Sequence, residues 1–295
     1  MKNYIYSDLA VESRVMSGGR ETENGEYREK KKGDSTVCRL EIKTEETAKK
    51  YGRAKGTYIT VFCDKIWRMN DAEIGRLADI ISEEISDMIK AMCGKRPDTS
   101  FSVLVAGLGN VDITPDAIGP LTAKEITVTR HIGTLDGELF GKMGYCNVSA
   151  VIPGVLAQTG IETVEMVKSA ARNVAPDLII AIDALAARSC ERLASTIQLS
   201  DNGISPGSGI GNMRKAINRE NIGVPVLALG VPTVVDSSTL VYDALRKAGI
   251  EEVDGELSTV LENGRGFFVS PKESDVITKS VAHLLAQSLD NVFRI

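Results

Sequence analysis

Two aspartates stand out for what precedes them. Asp116 closes Thr114-Pro115-Asp116 within GLGNVDITPDAIGP (107–120), where a proline restrains the backbone just ahead of the carboxylate. Asp183 follows five apolar residues, Leu178 to Ile182, and heads IDALAARS (182–189). Two carboxylates held close together cannot both ionise cheaply, so they share a proton. One can then take a proton from water while the other polarises a carbonyl, which is hydrolytic chemistry. Each aspartate also has a plainer reading: Asp116 as an N-terminal cap of a helix over 118–130, and Asp183 as the ion-pair partner of Arg188.

Three further features could supply binding groups. GVPTVVD (230–236) offers Thr233 and Asp236 at another strand end, and Asn110 lies in the loop leading to Asp116. NGISPGSGIGNMR (202–214) is glycine-dense, and Gly207, Ser208 and Gly209 at its centre would let backbone amides approach a ligand. The same loop also reads as a turn that merely needs several positive φ angles. The Gly107-Leu108-Gly109 start resembles a dinucleotide fingerprint, but its third glycine is replaced by Asp112, and the glycine-dense loop has no GK[ST].

The elements that must position these groups are short apolar runs. Val103–Ala106, Leu178–Ile182 and Val224–Leu229 are uniformly apolar, as strands buried on both faces of a parallel sheet are. Helical stretches lie between or after them, at Glu162–Val174 and Leu240–Ala248. The fold class expected is therefore α/β: an open, twisted, mostly parallel sheet with helices on both faces. Ligands in such sheets bind outside the carboxyl ends of the strands, where both aspartates fall. VCRLEIK (37–43) and GTYITVFC (56–63) read as two more strands. Ile74, Leu77, Ile81, Ile85, Met88 and Met92 form one stripe of a helix over 70–93, opened by an Asn70/Glu73 capping box and closed at Gly94. Residues 1–35 are polar and glycine-punctuated, the composition of a flexible leader.

Composition narrows the chemistry. Only two histidines, His131 and His283, leave little for a His-rich metal site or a Ser-His-Asp triad. The five cysteines are scattered, none in a CxxC, and read as structural thiols. A net charge of −5 gives no reason to expect a nucleic-acid partner. No run of apolar residues is long enough for a membrane span, and the N-terminus lacks an apolar signal core. The expectation is a protein retained in the compartment where it is made.

GLGN-x5-DAIGP (107–120), PGVLAQTGIET (153–163), IDALAARS (182–189), NGISPGSGIGN-x-R (202–214) and GVPTVVD (230–236), in that order, closely resemble the spore germination proteases. SDLAVES (7–13) is similar to the family's N-terminal processing region. The resemblance implies an endopeptidase that degrades small acid-soluble spore proteins and acts in the cytoplasm of the developing spore and the spore core. It implies a homotetrameric zymogen that removes its own N-terminal segment, and it places the catalytic pair at Asp116 and Asp183, with no cofactor. The fold it implies is similar to that of hydrogenase maturation endopeptidases. On this reading residues 1–10 are a short propeptide with cleavage near Asp8, Leu9 and Ala10, residues 11–35 a flexible leader, and residues 36–295 one peptidase domain. Two alternatives remain open: metal-assisted hydrolysis with the same aspartates as ligands, and a non-catalytic module whose glycine-rich loop cradles an anion.

Overall fold

The computed structural model describes residues 5–18, 26–205, 215–250, 254–263 and 266–295. Nine strands form one open sheet: β1 (Tyr27–Lys32), β2 (Ser35–Ile42), β3 (Gly56–Phe62), β4 (Ser102–Gly107), β5 (Asn147–Val151), β6 (Leu178–Ala187), β7 (Thr196–Ser200), β8 (Val226–Asp236) and β9 (Phe268–Val269). Their order is β1-β2-β3-β7-β8-β6-β4-β5, with β9 attached to β8. The α/β class is as expected, but the sheet is mixed. Parallel pairing is confined to β5-β4-β6-β8, and the other pairings are antiparallel. The reason is connectivity. Parallel neighbours need crossovers, whereas β1 and β2 are joined by a short turn through Gly33 and Asp34 that permits antiparallel pairing.

Alternation along the central strands buries both faces. Leu178, Ile180 and Ile182 of β6 face one core with Val103 and Val105 of β4. That core is closed by the helices Asp71–Cys93 and Ser274–Phe293, through Ile81, Ile85, Met88, Leu285 and Leu289. Ile179 and Ala181 face the opposite core with Leu104 and Ala106, covered by Val164 and Val167 of the helix Thr163–Val174. The helix Asp71–Cys93 starts as its sequence predicts. Asn70 Oδ1 accepts from Glu73 N at 3.1 Å, Glu73 Oε2 accepts from Asn70 N at 2.8 Å, and Gly94 ends the helix at φ +78°.

Two expectations need correction. The described parts of the presumed leader are folded: Ala10–Met16 is a helix with Ala10 to Arg14 buried, and Tyr27–Lys32 is an edge strand. Lys32 fixes that strand to the long helix through Glu84 at 2.6 Å and Glu83 at 2.9 Å, so its charge is compensated rather than solvated. A polar, charged stretch therefore reads as a leader by composition while serving as a sheet edge, where charge is what keeps edges from pairing. The second correction is the helix expected over 118–130, which spans only Ile118–Glu125. Thr127 then bonds through N and Oγ1 to the Asp290 carboxylate, at 3.0 and 2.9 Å, drawing the chain toward the C-terminal helix.

The thiols are structural. Burial pushes the Cys63 and Cys146 thiols up to about 12, whereas Cys190 is exposed. Because the thiolate is the reacting species, iodoacetamide at pH 8 is expected to label Cys190 and leave Cys63 and Cys146 unmodified until the protein is unfolded. Peptide mapping before and after denaturation checks this; native labelling contradicts the buried position of Cys146 or the half-buried one of Cys63.

Candidate active site

The functional groups collect at a step in the sheet. β4 stops at Gly107, paired with Ile182, while β6 and β8 run on side by side to Ala187 and Val235. Asp183 is therefore the first β6 residue past the end of β4. It lies inside the strand, where the sequence reading had placed it just beyond the strand's end. Paired to Gly230 and 6% exposed, it is set at the floor of the step, with its Oδ1 accepting from Ala184 N at 3.0 Å.

Asp116 reaches the same place from the other side. After β4 the chain turns through Leu108 and Gly109 into a short 3-10 turn, Thr114–Asp116, which feeds the helix Ile118–Glu125. Asp116 Oδ2 accepts from Asn110 N at 2.6 Å, so the carboxylate bonds back to its own loop. The cap position of that helix is Ala117, without a side-chain bond, so the capping reading of Asp116 is not realised. Glycines make the approach possible. Gly109 has φ +109°, and a Cβ there would strike the Asp116 carbonyl. A Cβ at Gly119 would strike the carbonyls of Leu108 and Ile182, which are joined by the 2.8 Å bond from Leu108 N to Ile182 O.

Asp116 and Asp183 line one cleft of about 360 Å³, together with Ile113, Pro115, Leu185, Thr233, Phe268 and Asp8 of the N-terminal segment. Thr233 is 3% exposed, and among the described residues its Oγ1 has no hydrogen-bond partner. A buried hydroxyl in that state costs about 1–3 kcal/mol unless something supplies a partner, and the cleft is where a partner would come from. Arg188, the alternative partner suggested for Asp183, pairs with Asp243 at 3.1 Å. Asp236 caps the helix Ser237–Lys247, its Oδ1 accepting from Thr239 N at 3.0 Å, and it does not line the cleft. Asn110 supports the loop, with Oδ1 accepting from Asp112 N at 3.0 Å and Gln158 Nε2 at 2.7 Å. Gly207, Ser208 and Gly209 lie outside the described residues, although Ser205, just before them, borders the cleft. Among the described residues, no three or more His, Cys, Asp or Glu side chains are grouped to hold a metal ion.

The N-terminal segment enters this site. Asp8 N donates to Ala186 O and Asp8 Oδ2 accepts from Ala186 N, both at 2.8 Å. Glu12 Oε2 accepts from Arg188 N at 2.8 Å, and Leu9 is fully buried against Leu185, Ala187 and Val235. Arg53 donates to the Ser7 carbonyl and, at 3.0 Å, to Ser13 Oγ, and Tyr6 donates to the Asp8 carboxylate. The reading of Asp8, Leu9 and Ala10 as a processing region rests on the resemblance alone. Their docking beside the aspartates is seen only in the structure.

A mixed open sheet with two aspartates lining one cleft at the step of its central strands offers carboxylates for acid–base chemistry. The comparisons make the class specific. The family model for the germination protease matches residues 7–248. The germination protease of Clostridium acetobutylicum is 36% identical, with 98% of this chain and 94% of the relative aligned. That of Caldanaerobacter subterraneus is 37% identical over 97% and 93%, and that of Oceanobacillus iheyensis 40% identical over 82% and 66%. The chain belongs to the germination protease family, and its role is that of a protease in spore germination. Among the described residues no helix is long and apolar enough to cross a membrane.

Proposed function

We propose that this protein is an endopeptidase that begins the degradation of small acid-soluble spore proteins and is made as a self-processing zymogen. The observation that carries the reading is the convergence of Asp116, Asp183 and Asp8 on one cleft. In the proposed mechanism the carboxylate pair holds one proton between them. One aspartate removes a proton from water as it attacks the scissile carbonyl, and the other delivers its proton to the developing oxyanion. The tetrahedral intermediate then collapses as the amide nitrogen is protonated and leaves. Asn110 N fixes Asp116 by its bond to Oδ2. Thr233 Oγ1 is the substrate-facing donor, and Gly207, Ser208 and Gly209 supply further backbone contacts. Asp236, occupied in capping, serves the scaffold.

The seat of Asp8-Leu9-Ala10 beside the aspartates supports reading that stretch as the self-processing site, on an enzyme expected to be a homotetramer. Incubating the purified full chain and following intact mass is expected to show loss of an N-terminal fragment ending between Asp8 and Ala10, followed by faster cleavage of a small acid-soluble spore protein. Both activities should be indifferent to chelator. A fragment of another length sinks the processing site, and chelator-sensitive cleavage sinks the mechanism in favour of metal-assisted hydrolysis. Sedimentation of the same sample measures the oligomeric state.

A further inference from the structure

One polar side chain is spent on the docked segment in a way that capping, folding and the aspartate pair do not explain. Gln198 lies in the middle of β7, opposite Thr60 of β3 and Gly230 of β8, in a strand whose five residues are all buried. Its Nε2 donates to the Asp8 carbonyl at 3.1 Å and its Oε1 accepts from Ala10 N at 2.7 Å. A single side-chain amide thus takes the C=O of one residue and the N–H of the residue two further on. That is the pair of main-chain groups a residue of a neighbouring parallel strand would bind. Leu9, between them, makes no bond to Gln198 through its own main chain and turns into the apolar cluster with Leu185 and Val235.

The surrounding space extends the same path. A second cleft of about 300 Å³, lined by Gln198, Arg53, Asn202 and Gly203, shares Asp8, Leu185 and Ser205 with the one holding the aspartates. Room for a chain therefore continues from the carboxylate pair to Gln198. The glycine opposite, Gly230, has Leu185 packed directly over it, so that any side chain there would displace Leu185 from the path.

We propose that Gln198 is the positioning residue that seats the main chain of a peptide across the cleft, for the N-terminal segment and for substrates that follow it. This rests on the reading of the cleft as a peptidase site. Because the amide addresses only main-chain atoms, it fixes the register of the bound peptide without selecting a side chain at the skipped position. A carboxamide suits the task because it carries a donor and an acceptor side by side, whereas a carboxylate supplies acceptors only.

The test uses the full chain with Q198M, which keeps the length of the side chain but not its hydrogen bonds, and with Q198E. Hydrogen exchange at the Ala10 amide, as a ratio to wild type at the same pH, is expected to rise about tenfold or more in Q198M. Exchange in the helix Asp71–Cys93 should be unchanged. In Q198E the ionised carboxyl can still accept from Ala10 N but faces the Asp8 carbonyl oxygen with no proton to donate. Repulsion between those two oxygens should lift the segment, so Ala10 protection is expected to fall at pH 8 and recover at pH 5, where protonation restores the donor. A merely structural Gln198 gives the same recovery but leaves the rate of self-cleavage unchanged. Self-cleavage followed by intact mass should slow about tenfold in Q198M. Unchanged Ala10 protection in Q198M overturns the proposal, as does lost protection with undiminished self-cleavage. If Q198M loosens the whole fold, Q198E at pH 5 decides the matter, since recovery of protection and self-cleavage together supports the clamp and its absence overturns it. A wild-type chain that cleaves neither itself nor a substrate refutes the peptidase reading instead, while the exchange ratios still judge the clamp.

Discussion

Replacing Asp183 or Asp116 by Asn is expected to lower kcat for peptide cleavage by about a thousandfold or more while leaving the protein folded. Asn keeps the size of Asp and one carbonyl oxygen. The bonds from Ala184 N to residue 183 and from Asn110 N to residue 116 can therefore persist. What is lost is the ability to accept a proton from water or to hold one for the carbonyl. The double variant should be scarcely slower than the worse single one, because groups that act as a unit are strongly non-additive. Initial rates with purified variants, alongside thermal melts, check both statements. Normal cleavage by either well-folded variant removes that residue from the mechanism and turns attention to Thr233 and the glycine-rich loop.

The second large effect concerns a residue without a side chain. Gly119→Ala is expected to destabilise the protein by about 1–3 kcal/mol, the usual cost of forcing a methyl into a packed site. The added carbon would meet the Leu108 and Ile182 carbonyls, which are backbone and cannot swing aside. Relief requires the helix Ile118–Glu125 to move away from the sheet, and Asp116 is joined to its first residue through Ala117 alone. A displacement of about 1 Å at the reacting groups costs about a hundredfold in rate, so activity should fall further than stability. Gly141→Ala serves as the control: it lies in the helix Gly137–Met143 with open space around its Cβ, and should be neutral or slightly stabilising. A G119A protein with wild-type melting and wild-type kcat would mean that the close approach does not hold Asp116 in place.

Much of this architecture is visible in the chain wherever local physics decides it. The helix from Asp71 is announced by its cap, its stripe and its terminal glycine, all of which act within a few residues. The apolar runs of β4, β6 and β8 are visible for the same reason, since burial on both faces leaves no polar positions. Strand ends were less legible. β6 continues through Asp183 to Ala187 because β8 continues beside it to Val235, a long-range pairing that no local pattern encodes. Folding of Ala10–Met16 and Tyr27–Lys32 likewise depends on tertiary partners: Arg14 stacks at 4.1 Å over Tyr27, and the Lys32 ammonium meets Glu84 from a distant helix. Asp236 stands at a strand end that is also the start of a helix, so the sequence offers it both as a site residue and as a cap, and the structure shows the cap. Gln198 left one faint signal, a lone amide in the otherwise strand-like TIQLS, whose meaning needs the chain nearly two hundred residues earlier.

The segment from Tyr6 to Glu12 belongs to the chain whose cleft it borders through Asp8, and this gives its seating an unusual molecularity. A free peptide must compete at its bulk concentration, whereas a tethered one is present at an effective concentration of order millimolar however dilute the protein. Seating of the cis segment is therefore set by the fold, whatever the protein concentration. A seat filled in this way does not empty on dilution, and a free peptide displaces the segment only at concentrations near that effective value.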